Sequence, residues 1–119
     1  MTQFIKYTSN LIEYKSVPNF LTTVNTFVDL PGSSWPVRNF KTKHLYFTAT
    51  TNNLSVQVLA SIDGGTTFGI TTISTFTVTV GTPLLKTIST WYTDIKVQVK
   101  PAVADSHGTL ATLIAGGPL

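Results

Sequence analysis

Asp105, Ser106 and His107 stand side by side and carry the three side-chain types of an acyl-transfer triad. In such a triad a hydroxyl attacks, an imidazole takes its proton and a carboxylate orients the imidazole. The geometry is one that neighbours on a single loop rarely reach, so their adjacency argues against the role. Glycoside hydrolysis needs two carboxylates flanking one bond. The five acids, Glu13, Asp29, Asp63, Asp94 and Asp105, fall on separate segments in turn or surface contexts, and their spacing pairs none of them. His44 and His107 are the two imidazoles, and they lack the short spacing of metal ligands. The absence of cysteine removes thiol chemistry, thiolate-bound metals and disulfides. The inventory predicts no catalytic residue, no metal and no cofactor, and hence a protein that is not an enzyme.

One motif stands above composition. Ser61-Ile62-Asp63-Gly64-Gly65-Thr66-Thr67-Phe68 resembles the Asp-box, Ser-x-Asp-x-Gly-x-Thr-(Trp/Phe), that recurs in sialidase-like propellers and in unrelated β proteins. The carboxylate of Asp63 can accept N–H bonds within its own turn, glycine supplies positive φ, and the closing aromatic packs under a hairpin. The resemblance implies a structural turn built on Ser61, Asp63, Gly65, Thr67 and Phe68. It does not imply glycosidase activity, because a propeller repeats the box over several blades and this chain has one copy.

Charged residues make up 11% of the chain, against about 25% in an ordinary soluble domain. Hydroxyls and amides therefore keep the surface soluble, or other copies and partners cover it. The net charge of +3 is small, and only Arg38, Lys41 and Lys43 gather along the chain. That cluster reads as a solvated loop or strand entrance, too sparse for a nucleic-acid interface. No apolar run reaches the roughly 18 residues of a membrane-spanning helix, so no membrane insertion is expected. The first residues lack the charged and apolar regions of a secretory signal. This predicts a protein made in a cytoplasm that reaches other locations by assembly.

The elements that must position these residues are strands. Threonine fills 22 of 119 positions and sits in period-two runs such as Phe76-Thr77-Val78-Thr79-Val80, a pattern suited to a pleated, half-buried surface. Strands are expected at 3–7, continuing at 11–15, then at 20–30, 44–50 and 54–61. Thr51-Asn52-Asn53 reads as a short hairpin connection. Further strands are expected at 68–73 and 75–80, with a bulge near Ser74 because Ile73 is out of phase with Phe76 and Val78. The last three are 84–89, 91–100 and 109–115, followed by a flexible Gly116-Gly117-Pro118-Leu119 end. About eight short strands at this spacing predict an all-β fold, an antiparallel β-sandwich that is jelly-roll-like or immunoglobulin-like. A single domain over 1–119 is expected, with 1–15 as an N-terminal arm or edge strand.

Phenylalanines spread along the strands are expected to fill the core. Trp35, Trp91 and Tyr92 flank strands, and two roles stay open for them: plugs at the ends of the sandwich, or an exposed platform for a host-surface glycan. The strand Asp94-Ile95-Lys96-Val97-Gln98-Val99-Lys100 and the loop Asp105-Ser106-His107-Gly108-Thr109-Leu110 follow the Ser61 hairpin. Together with the threonine-rich, cysteine-free composition, they resemble small β-sandwich accessory proteins of tailed-phage virions, over roughly residues 43–115. The resemblance implies a head-decoration, fibre or tail-associated subunit. Its partners would be itself, as a trimer or other closed oligomer, and the major capsid or tail proteins. Phe4, Ile5, Trp35, Trp91 and Tyr92 are the expected contact surface.

Overall fold

The computed structural model describes residues 13–32 and 34–117. It is all-β, with two antiparallel sheets packed face to face. The strands are β1 (Glu13–Leu21), β2 (Val28–Asp29), β3 (Trp35–Pro36), β4 (Lys43–Thr50), β5 (Leu54–Ser61), β6 (Ile70–Val78), β7 (Leu84–Ile88), β8 (Asp94–Pro101) and β9 (Thr109–Gly116). Sheet A has the order β1-β9-β4-β7, and sheet B the order β2-β8-β5-β6 with β3 also on β8. The pairs nest: the first strand lies on the last, β2 and β3 on β8, β4 on β7, and β5 on β6. Nested pairing across two sheets is a jelly roll, which resolves the choice between jelly-roll and immunoglobulin connections.

Strict alternation drives the layering. Val56 and Val58 of β5, Ile95, Val97 and Val99 of β8, Leu45 and Phe47 of β4 and Leu110 of β9 are fully buried between the sheets. Each is followed by a residue on the outer face, as period two requires. Phe47 of sheet A meets Phe76 of sheet B edge to face, with ring centroids 5.3 Å apart. This is an aromatic contact that ties the two layers together.

Several expectations need correction. Residues 20–30 are not one strand. β1 ends at Leu21, and Thr22 turns inward, its N–H donating to the Gly108 carbonyl at 3.0 Å and its hydroxyl accepting from the Gly108 N–H at 3.2 Å. Asn25 then binds Asp105 twice, so side-chain bonds to a distant loop compete successfully with a strand ladder. Thr51-Asn52-Asn53 is not a hairpin, because β4 and β5 lie in different sheets and the segment arches between them. A Cβ on Gly108 would sit 2.8 Å from the Asn52 carbonyl oxygen and 2.9 Å from that of Thr50, so only glycine lets the 105–108 loop clamp this arch.

Gly116 is also not part of a loose end. It closes β9 against the Phe40 ring, where a Cβ would meet a ring carbon at 2.6 Å. The expected bulge near Ser74 is present, since pairing steps from Val56–Phe76 to Val58–Ile73; a second irregularity follows between Val58–Ile73 and Leu59–Thr71. The expected strand at 3–7 lies outside the described residues, and Glu13 to Lys15 of the expected arm are paired with β9.

Candidate interaction surface

The described side chains able to do chemistry are held in structural contacts, each in its own place. In the Ser61–Phe68 turn, Asp63 Oδ1 accepts from Ser61 Oγ at 2.5 Å, from Thr66 N at 3.2 Å and from Thr67 N at 2.9 Å. Ser61 Oγ in turn accepts from the N–H groups of Asp63 and Gly65. The Ser61 bond first, and the Thr67 bonds next, hold the Asp63 carboxyl down at about 2, because hydrogen bonds to the charged form favour it. Gly64 and Gly65 adopt φ of 78° and 92°. Thr93 fastens the turn to the sheet by accepting from Gly64 N and donating to the Ser61 carbonyl. Phe68 is half-buried with Lys96 Nζ 4.7 Å from its ring centroid.

Asp105, Ser106 and His107 do not form a triad. Asp105 Oδ1 accepts from Asn25 Nδ2 at 2.9 Å, and His107 Nδ1 faces Thr22 Oγ1 at 3.1 Å. Asp29 accepts from Gln98 Nε2 at 2.8 Å and lies 3.6 Å from Lys96 Nζ. Asp94 is buried with Arg38 at 3.8 Å. His44 Nδ1 is 3.0 Å from Thr87 Oγ1 on an exposed strand face. Among the described residues no three histidine or acidic side chains group as a metal site would require.

Of the basic cluster, Arg38 and Lys41 are exposed as expected, but Lys43 is not. Lys43 is fully buried at the end of β4, where its ammonium donates to the carbonyls of Lys41 at 3.0 Å and Thr90 at 2.5 Å and lies 5.4 Å from the Tyr92 ring centroid. Burial lowers its pKa to about 8, since desolvation penalises the charged form.

The expected contact aromatics have different environments. Phe4 and Ile5 lie outside the described residues. Trp35 forms β3 against Ile95 and is 6% exposed, so of its two open roles it takes that of a core plug and is not an exposed contact. Trp91 is 43% exposed, its indole fixed by a 2.6 Å bond from Nε1 to the Arg38 carbonyl. Tyr92 is half-buried against the core beside it.

Sequence reasoning missed the outer face of sheet A. Leu113 of β9, Tyr46 of β4 and Leu85 of β7 are direct cross-strand partners, forming one row across three strands. They are 40%, 43% and 58% exposed. The positions around them are Ser16, His44, Thr48, Thr87, Ala111 and Ala115, so no described side chain on this face bears a formal charge at neutral pH. A shallow groove of about 190 Å³ runs beside Tyr46, lined by Ser16, Pro18, Thr48, Ala111 and Leu113. The signal was present but ambiguous: Leu45, Tyr46 and Phe47 are all large and apolar, so the parity of the strand alone could not tell the inner face from the outer.

No protein-family model matches the sequence, and no curated protein matches it. Solved structures do share the architecture. A protein of the Bacillus endospore appendages, which are described as a novel family of disulfide-linked pili, superposes with a TM-score of 0.54. The identity is 16%, and the match covers 92% of this chain and 91% of that one. The tobacco streak virus coat protein gives 0.48 at 10% identity, over 92% of this chain and 88% of that one. Infectious bursal disease virus, Gx strain, gives 0.43 at 14% identity, over 87% of this chain and 31% of that one. The first of these is a likeness of fold. No described helix is long and apolar enough to cross a membrane.

Proposed function

We propose that this chain is a non-enzymatic structural subunit of a virion, a capsid decoration or a tail- or fibre-associated part. It acts by associating with itself and with the major capsid or tail proteins of the particle. The observation that carries this reading is the outer face of sheet A, a four-stranded surface with an apolar row at Leu113, Tyr46 and Leu85 and no formally charged side chain around it among the described residues. Exposed apolar patches rimmed by polar residues mark interaction sites. A face made of Thr, Ala, Leu and Tyr suits a dry contact with a similarly uncharged partner. The carboxylates and imidazoles of known position serve turns and loop ties instead of converging in a cleft. The endospore-appendage protein, which shares the fold over nearly its whole length, is itself described as belonging to pili.

Sedimentation velocity of the full chain and co-sedimentation with capsid or tail particles test the proposal. Oligomers at micromolar concentration, or retention on the particle, are expected. A stable monomer that binds neither would overturn it.

A second reading rests on Trp91. An indole that is 43% exposed and held in place by its Nε1 bond to Arg38 offers a rigid apolar plane of the kind that stacks on a sugar, so a host-surface glycan is the alternative partner. Glycan-array binding that disappears in Trp91→Ala without loss of folding would favour it; equal binding by both proteins would remove it.

A further inference from the structure

Building on that self-association, we propose that the outer face of sheet A is occupied by the same face of a second copy, related by a two-fold axis near Tyr46. The open edges of the sandwich are poor places for self-pairing. β1 carries Pro18 and a register shift between Val17 and Phe20, and β6 has two shifts. β7 is five residues long with Lys86 at its centre, and β2 and β3 are two residues each. Short, bulged, proline-bearing or lysine-bearing edges are the devices that keep sheets from adding strands. Association of copies must therefore use a face or an end.

Of the two outer faces, that of sheet A is the better suited to meet itself. Across a two-fold axis residue i meets j and j meets i, and residues near the axis meet their own copies, so a face with an excess of one charge brings like charges together at a cost of several kcal/mol. The sheet B face carries such an excess, with Lys96 and Lys100 on its outer side against Asp29, which already pairs with Lys96. The described side chains of the sheet A face carry no formal charge that would repel. Its row of Leu113, Tyr46 and Leu85 can interdigitate with the same row of the partner, and tyrosine is enriched at such interface centres.

The size is also adequate. Four strands about 4.8 Å apart and eight residues long at about 3.3 Å each make a plan of roughly 500 Å² per copy. That is about 1,000 Å² for two copies, where specific interfaces begin.

The test uses two opposite charges at one position. In the full chain, Tyr46→Glu and Tyr46→Lys each place like charges near the axis, and each is expected to weaken association at least about a hundredfold by concentration-dependent sedimentation. Mixed in equal amounts, the two variants are expected to recover the wild-type association, since Glu now meets Lys. Leu113→Lys gives a second disruption in the same row, and Gln57→Lys on the outer face of sheet B is expected to change nothing. Unaltered circular dichroism and melting show that each variant is folded.

If wild-type protein is oligomeric and the Tyr46 and Leu113 variants associate as well as it does, this inference fails while the structural role stands. Folded variants that dissociate singly but do not recover when mixed overturn the like-on-like arrangement. A wild-type monomer that also ignores the particle removes both.

Discussion

The two outer faces of this sandwich are built from the same kind of strand and end up chemically opposite. On sheet B, Gln57 Nε2 donates to Gln98 Oε1 at 2.7 Å, Gln98 Nε2 donates to Asp29 at 2.8 Å, and Lys96 lies between Asp29 and the Phe68 ring. Lys100 covers Phe27 at 4.8 Å. Polar groups here find cross-strand partners, and lysine stems cover the aromatics. On sheet A the equivalent positions carry Leu113, Tyr46 and Leu85 with hydroxyls, methyls and one imidazole around them, and the cross-strand polar contact there is a single pair, His44 with Thr87. A face completed by its own side chains has no need of a partner. An uncharged face with an apolar row gains by being covered, and the contrast locates the interaction surface where composition alone located none.

Breaking the layer the two faces share should have the largest effect. Phe47 is fully buried on sheet A and contacts Phe76 of sheet B. Phe47→Ala is expected to cost about 3–5 kcal/mol through lost transfer energy and the cavity left behind. Urea unfolding should show the loss for both sheets in one transition, and a change below about 1 kcal/mol would mean that the layers are not coupled through this pair.

A smaller loss should follow from Gly116→Ala, which touches sheet A alone. The new methyl would meet Phe40 at a distance no side chain tolerates, and overpacking of this kind costs about 1–3 kcal/mol. Unchanged thermal stability would show that the Phe40 ring turns aside freely.

The faces themselves should then separate. Gln98→Ala removes two side-chain bonds from sheet B and is expected to cost about 1 kcal/mol. Thr48→Ala on sheet A should stay within about 0.5 kcal/mol when measured in dilute, dissociated protein. Equal losses at both positions would contradict the contrast between a self-completed face and an open one.

Much of the fold was legible because alternation is a local signal. The strands from Leu54 to Ser61 and from Asp94 to Pro101 lie almost where period two puts them, and the phase break at Ile73 marks a real bulge. What sequence could not supply was the assignment of strands to sheets. Thr51-Asn52-Asn53 has hairpin composition, but the arch it forms depends on Gly108, some 55 residues away, fitting against it. Trp35 before Pro36 reads as loop, because the two-residue strand it makes is dictated by Ile95 across the sheet. The candidate surface was hidden for the same reason: Leu85, Tyr46 and Leu113 become a row only once three strands are in register. Lys43 gave no sign of burial either, since the carbonyls that hold it come from Lys41 and from Thr90 on another segment.

The smallest expected effect concerns the turn that joins the strands of sheet B, and it extends the idea of internal completion to the loops. Asp63 keeps its carboxyl near 2 through bonds from Ser61, Thr67 and Thr66, below the ordinary value of about 3.9. A folded-state value below the unfolded one means that the unfolded chain binds the proton first. The stabilisation is therefore fully present above about pH 4 and is lost as pH falls toward 2. The protein carries other carboxylates, so the wild-type curve alone cannot isolate Asp63. Comparison with Asp63→Asn can, because that variant keeps an oxygen acceptor but has no charge to lose. The wild-type Tm is expected to exceed that of the variant slightly at neutral pH, and the gap should close between pH 4 and 2. Curves that run parallel down to pH 2 would mean that the turn holds its shape through its glycines and the Thr93 contacts, with the carboxylate charge contributing nothing.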